Sequence, residues 1–192
     1  MQSKLSNKVI IFSAPSGSGK TTVVKHLLSK FPQLKFSVSS TSRKKRDDEV
    51  EGKDYYFITL DEFKRQIANG KFIEYEEVYE GRLYGTLKSE AERIWNEEKI
   101  IVFDVDVKGG LRLKETYGKH ALSVFIMPSS LEELHRRLIA RGTESIEDIE
   151  KRVQRADEEL SYAGNFDKII LNDKLHEALA NAETVVKEWI NC

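Results

Sequence analysis

Residues 9–21 read Val9-Ile10-Ile11-Phe12-Ser13-Ala14-Pro15-Ser16-Gly17-Ser18-Gly19-Lys20-Thr21. The unbroken apolar run at its head predicts a short strand buried on both faces, the pattern of a parallel sheet. Beyond the glycines, from Lys20 to Lys30, the apolar residues Val23, Val24, Leu27 and Leu28 return at helical spacing. Strand, glycine-rich turn, lysine, hydroxyl and helix in that order make a phosphate-cradling loop. Gly17 and Gly19 let backbone N–H groups turn inward, and the helix N-terminus adds partial positive charge at the same spot. Lys20 can reach the outer phosphates of a nucleotide, and Thr21 offers a hydroxyl to Mg²⁺. The usual motif begins with Gly where this chain has Ala14, which is tolerable if φ there is negative.

The apolar signature recurs downstream at Ile100-Ile101-Val102-Phe103, at Ala121 to Met127 and at Lys168-Ile169-Ile170-Leu171, each read as a further buried strand, with helical patterns between them. That alternation predicts an α/β fold whose parallel sheet is covered by helices on both faces. Asp104 ends the second run, where a carboxylate can hold a Mg²⁺-bound water. Asp106 faces the same side if the strand continues.

The stretch from about Phe36 to Gly85 differs. Its short β-rich pieces, Phe36 to Ser40, Tyr55 to Ile58 and Lys71 to Tyr79, predict an inserted α+β lobe. Thr59-Leu60-Asp61-Glu62 reads as a capping box opening a helix, and Gly70 as its stop. Two further helices, Leu131 to Arg141 and Ile146 to Tyr162, have Ser130 and Ser145 as candidate N-caps. Arg141-Gly142-Thr143-Glu144 forms a polar join between them. Arg137 and Arg141 lie four apart and share a face, so this join is expected to act as a pivot.

The 192 residues are 40% hydrophobic and 33% charged, the balance of a globular chain rather than a disordered one. The formal net charge of −1 argues against a duplex nucleic-acid partner. No apolar run approaches membrane-spanning length, and the polar start from Met1 to Asn7 lacks a signal-peptide core, so no membrane role is expected. One cysteine, Cys192, cannot form an internal disulfide, and a cytoplasmic location is the natural expectation. The basic residues are nevertheless clustered locally, as suits a small anionic ligand.

Ser39-Ser40-Thr41-Ser42-Arg43-Lys44-Lys45-Arg46 combines hydroxyls with two arginines whose forks suit phosphate oxygens. Glu49-Val50-Glu51-Gly52-Lys53-Asp54-Tyr55, Phe72-Ile73-Glu74-Tyr75 and Tyr84-Gly85-Thr86 follow. With the phosphate loop, Asp104-Val105-Asp106-Val107-Lys108-Gly109, Arg137-Leu138 and Arg141-Gly142-Thr143, these blocks resemble the guanylate kinases from about Lys8 to Trp189. The resemblance implies a P-loop core (1–35, 97–128 and 163–192), a GMP-binding lobe (36–96) and a helical lid region (129–162). It implies transfer of the γ-phosphoryl group of ATP to GMP or dGMP with Mg²⁺, by a monomer or homodimer.

Carried across residue by residue, the family's ATP site falls on Ala14, Pro15, Ser16, Gly17, Ser18, Gly19, Lys20, Thr21 and Thr22, with Asn172 and Asp173 bordering the adenine. Ser39, Arg43, Arg46, Tyr55 and Tyr84 would bind the GMP phosphate. Glu74 and Thr86 would read the guanine edge, with Asp106 nearby. Lys20, Arg43, Arg137, Arg141 and Arg152 would carry the catalytic charge, and Thr21 and, through water, Asp104 would hold the metal. Arg136 and Arg155 read as surface charges among alternating Glu and Arg. Many family members have Pro at Lys45 and Gly at Asp48; both arginines of the block are retained.

The chemistry of the base agrees. Guanine offers donors at N1 and its exocyclic amine, which one carboxylate can accept, and its O6 can accept from a Thr hydroxyl. Two other functions fit parts of the pattern. A guanylate-kinase-like interaction module typically loses the phosphate loop, whereas Lys20 and Thr21 are present here. A kinase for another nucleoside monophosphate or a phosphorylated sugar is opposed by Glu74 and Thr86.

Overall fold

The computed structural model describes residues 7–141 and 146–192, Arg141 by its backbone alone. In chain order the first elements are β1 (Val9–Ser13), α1 (Lys20–Lys30), β2 (Leu34–Phe36), β3 (Ser40–Thr41), β4 (Tyr56–Phe57) and α2 (Leu60–Ala68). Next come β5 (Phe72–Tyr79), β6 (Arg82–Leu87), α3 (Lys88–Asn96), β7 (Ile100–Val105) and α4 (Val107–Tyr117). The last are β8 (Ala121–Pro128), α5 (Leu131–Arg141), α6 (Ile146–Ser161), β9 (Lys168–Asn172) and α7 (Leu175–Asn191).

All of β1 is buried, and its side chains divide with period two. Ile10 and Phe12 face α1 and α7, packing with Val23, Val24, Leu27, Ala178, Ala182 and Val186. Val9 and Ile11 face the opposite layer, where Ala91 and Ile94 of α3 and Leu113 of α4 meet them. The sheet that β1 centres has the order β2-β7-β1-β8-β9 with every pairing parallel, as the apolar runs predict. One expectation changes. β9 is not buried on both faces, because it is the sheet's edge: Ile170 and Asn172 point inward while Ile169 and Leu171 are half exposed.

A second sheet, β4-β3-β6-β5, builds the lobe. The expected single piece from Phe36 to Ser40 is divided between the two sheets. β2 ends at Phe36 beside β7, and the chain crosses over Ser37–Ser39 to enter the lobe at Ser40. The carboxylate of Glu90 on α3 steadies this crossing: it accepts from the Val38 amide at 3.1 Å and the Tyr56 hydroxyl at 3.3 Å, and pairs with Arg93 at 2.8 Å.

Helix α2 begins where Thr59 accepts from the Glu62 amide at 3.2 Å. The reciprocal half of the box is replaced, since Glu62 accepts from its neighbours Arg65 and Gln66. The helix ends as expected at Gly70, whose φ of +62° lets its own N–H reach Ile67 and that of Lys71 reach Gln66. Phe63 stacks on Phe72 at 4.4 Å, fixing α2 against the lobe sheet.

Helices α5 and α6 close around Leu134, Leu138, Ile149 and Ala156. Ser130 caps α5 by accepting from the Glu133 amide at 3.1 Å. The Ser145 cap, the pivot at residues 142–144 and the Arg141 side chain lie outside the described residues. Among the described residues, no helix is long and apolar enough to cross a membrane.

Candidate active site

The phosphate loop leaves β1 at Ser13 and closes on α1. Gly17 and Gly19 have φ of +92° and +87°, the left-handed region that side chains resist. Ala14 has no such requirement and tucks its methyl into the core, so the departure from the usual motif costs no strain. Gly19 is required twice, because a Cβ there would sit 2.3 Å from the Asn172 amide nitrogen. That side-chain amide donates to the Ser18 carbonyl at 2.7 Å, and the Asn172 backbone carbonyl accepts from Arg137 at 3.1 Å. Asn172 therefore braces the loop from the end of β9, while Asp173 beside it is exposed.

Lys20 turns across the loop to Asp104 at 2.6 Å and donates to the Val105 carbonyl. Ser16 Oγ accepts from Arg152 at 2.6 Å. Thr21 and Thr22 are exposed on the first turn of α1 and line the same cleft as Asp104. Mg²⁺ keeps several waters and takes phosphate oxygens beside one or two protein groups. One hydroxyl and one carboxylate on the same cleft fit that sparse demand, and among the described residues no denser cluster of ligating side chains exists.

Across the cleft, Ser39 sits at the sheet crossing, with Arg43 and Arg46 on the loop after β3. The Arg43 guanidinium forks onto Glu49, one arm at 2.6 Å, lies 5.0 Å above the Tyr55 ring, and donates to the Tyr84 hydroxyl at 3.2 Å. Arg43 holds the Glu49 carboxyl down at about 2, and Glu49 also accepts from the Arg46 amide at 2.8 Å. Burial pushes the Tyr55 phenol up to about 12.

Glu74 and Thr86 face each other directly in the β5–β6 register. Thr86 is fully buried and donates its hydroxyl to Glu74 Oε1 at 2.7 Å, so here its proton goes to the carboxylate. Burial, reinforced by the nearby Asp106, raises the Glu74 carboxyl to about 7 against the opposing pull of Thr86. Gly109 leaves room for it, since a Cβ there would lie 2.8 Å from Glu74 Oε2. Asp106 departs from the sheet-face expectation: β7 ends at Val105, and Asp106 instead caps α4 by accepting from the Gly109 amide at 2.7 Å. It lines the cleft from that position.

On the α5–α6 side, Arg137 pairs with Glu133 at 2.7 Å and reaches the end of β9, and Arg136 is exposed as the sequence suggests. Arg155 is not a surface charge. It is partly buried, paired with Glu159 at 2.7 Å, and donates to the Val78 carbonyl of the lobe. Glu159 is itself buried and lines the cleft. An Arg and a Glu four apart on a helix look like a solvated pair in sequence. Only the lobe packed over them reveals otherwise.

Most of these residues line one cleft of about 1700 Å³, with the phosphate loop and Lys20 on one wall and Arg43, Tyr55, Glu74 and Tyr84 on the other, while buried Thr86 and Asn172 act on it through Glu74 and Ser18. The family model described as "Guanylate kinase" matches residues 6–189. A guanylate kinase of Bacteroides fragilis is 52% identical over 183 residues, covering 95% of this chain and 90% of that protein. One of Porphyromonas gingivalis is 48% identical over 184 residues, covering 95% and 98%. The crystal structure of guanylate kinase from Anaplasma phagocytophilum superposes with a TM-score of 0.78 at 31% identity, covering 96% of this chain and 87% of that one.

Proposed function

Since this chain belongs to the guanylate kinase family, we propose that it moves the γ-phosphoryl group of ATP onto GMP or dGMP, giving ADP and the corresponding diphosphate. The observation that carries this reading is that the phosphate loop and Glu74, which Thr86 holds from behind, open onto the same cleft. A loop alone means only a nucleotide; a buried carboxylate opposite it specifies which base the acceptor carries.

In this reading the loop from Ala14 to Thr22 cradles the ATP phosphates with the N–H groups that follow Pro15, and Asn172 sets the loop's shape. Lys20 exchanges Asp104 for the outer phosphates. Ser39, Arg43, Arg46, Tyr55 and Tyr84 hold the GMP phosphate, with Glu49 yielding the Arg43 fork to the incoming anion. Ionised Glu74 accepts from guanine N1 and the exocyclic amine, and Thr86 either orients it or rotates to donate to O6. Adenine presents an acceptor at N1 and a donor amine in place of O6, so it leaves Glu74 unpaired.

Thr21 and, through water, Asp104 would hold Mg²⁺ arriving with ATP, and the ion would neutralise charge on the phosphate oxygens. Arg137, Arg141 and Arg152 gather on the transferring group. Phosphoryl transfer needs positioning and charge stabilisation more than covalent help, and this set of residues supplies both. The functional division is a core of residues 1–35, 97–128 and 163–192, a GMP lobe of 36–96 and a lid of 129–162.

A coupled ADP-release assay with GMP, dGMP, AMP, CMP and UMP tests the reading. GMP is expected to exceed AMP in kcat/KM by about 10⁴-fold, the scale on which sites built of buried hydrogen bonds reject mismatches. Equal turnover of AMP would refute it.

A further inference from the structure

Base recognition rests on Glu74, yet β5, the strand that carries it, is the outer strand of the lobe sheet. β6 pairs with it along one side, and an outer strand has no ladder partner along the other. The ladder it does have is irregular at two places, between Phe72 and Glu74 and between Glu77 and Tyr79. Glu74 thus begins a short segment bounded by register shifts. Register matters here, because a slip of one residue would turn the carboxylate to the opposite face.

Helix α4 of the core packs against β5 and grips that segment in the middle. Gly109 leaves the space that Glu74 Oε2 occupies. Arg112, three residues on and so its neighbour on the helix, donates to the Tyr75 backbone carbonyl and pairs with Glu76 at 2.9 Å. One planar guanidinium therefore holds the backbone of one residue and the side chain of the next, immediately after Glu74. A lysine has no such fork. Arg112, Tyr75 and Glu76 all lie outside the lining of the cleft.

The same residue bears on the charge of Glu74. Burial is the largest influence on that carboxyl and raises it; Thr86 lowers it, Asp106 at the head of α4 raises it, and Arg112 lowers it. The other charged or titratable groups nearby are engaged with partners. Lys108 of α4 pairs with Glu158 at 3.1 Å, and Glu76 on β5 with Arg112. The Tyr84 hydroxyl on β6 accepts from Arg43, and Glu159 on α6 pairs with Arg155.

We propose that Arg112 is a positioning residue for guanine recognition: it straps β5 to α4 between the two irregularities of the ladder, and so holds Glu74 in the register that meets the base. The proposal rests on the reading that Glu74 accepts from guanine. Arg112 reaches the nucleotide only through Glu74, and it makes the core helix α4 a part of base selection.

The test is a double-mutant cycle on the full chain, with kcat and KM measured for GMP, AMP and ATP and melting temperatures as a check on folding. Arg112→Met keeps a long apolar stem but neither fork nor charge. It should raise KM for GMP about tenfold, the scale of one charge-assisted contact, with kcat and KM for ATP within about twofold. The GMP over AMP ratio of kcat/KM should fall by about the same factor. The pH profile of KM for GMP should also move. Removing a cation raises the pH at which Glu74 ionises, so a midpoint near 7 should rise by about half a unit, the scale that a half-exposed charge allows.

Arg112→Lys restores the charge without the fork. It should return the midpoint to that of the parent and leave KM for GMP about threefold raised, and it carries the cycle should Arg112→Met prove unstable. Beside Glu74→Gln, either substitution should change KM for GMP by less than about twofold, because the carboxylate that the strap aims is gone. Parent-like KM and pH profile in Arg112→Met, a loss confined to kcat and melting temperature, or an undiminished effect beside Glu74→Gln would overturn the proposal while leaving the role of Glu74 standing. A parent-like GMP over AMP ratio in Glu74→Gln itself would instead overturn the reading beneath it.

Discussion

Glu74→Gln should make the nucleotide-free protein more stable at alkaline pH while ruining its use of GMP. The buried carboxyl sits at about 7 in the fold, against 4.5 for an ordinary one, and burial is the main cause. A carboxyl raised by folding gives stability that is whole below about 4.5, where it is protonated in both states. That stability drains away as pH rises and is gone above about 7. The difference of roughly 2.5 pH units, at 1.36 kcal/mol each, puts the cost of the buried charge near 3 kcal/mol. Glutamine has the same shape, can still accept from Thr86, and carries no charge. The variant should therefore match the parent at pH 4.5, gain steadily to pH 7, and stay about 3 kcal/mol ahead above it.

Urea unfolding followed by circular dichroism, from pH 4.5 to 8.5 without nucleotide, measures this directly. Activity should run the other way. In the parent, GMP affinity should rise with pH as Glu74 ionises near 7, and Glu74→Gln should lower kcat/KM for GMP by about 10²–10³-fold, as expected for two charge-assisted hydrogen bonds. A stability difference that does not change with pH, or a variant less stable than the parent at pH 8, would refute the argument.

Lys20→Ala should fold and lose turnover by at least about 100-fold, the loss typical of one strong electrostatic donor, as steady-state assay beside a melting curve would show. Gly19→Ala meets both a left-handed φ and the Asn172 amide, so its unfolding free energy should fall by about 1–3 kcal/mol, measurable by denaturant titration. Excess chelator should abolish ADP release, and added Mg²⁺ should restore it.

β1, β7 and β8 were legible in the sequence because they lie inside the sheet with helices on both faces, which leaves unbroken apolar runs. β9 gives the same letters from the edge, where one face stays open; four residues carry no sign of what covers them. Phe36 to Ser40 reads as one β-rich piece because local pattern cannot say which sheet a residue joins, and here the sheet changes at Ser37. The phosphate loop was legible down to its individual glycines, since its chemistry is local.

Asp106 was read on the condition that the strand continues, and the pattern could not show that β7 stops at Val105, leaving Asp106 to accept from the Gly109 amide and cap α4. Arg155 and Glu159 were hidden for a different reason. Their pairing is written in the helix, but their burial is written in Val78 and Tyr79, about 75 residues earlier, and only the fold joins the two.

Asn172 has a consequence for anyone who wishes to borrow this loop. Thirteen residues from Val9 to Thr21 look portable, a cassette to be spliced onto another strand and helix. Yet the space that Gly19 leaves is filled by a side chain about 150 residues downstream, and the Ser18 carbonyl leans on that same side chain. A transplanted cassette would keep its glycines and lose its keystone. A recipient scaffold would have to provide a parallel strand two places from the loop's own, ending in a buried amide that reaches the loop. Loop and β9 are thus one structural unit in two pieces, and a change at either position falls on the other.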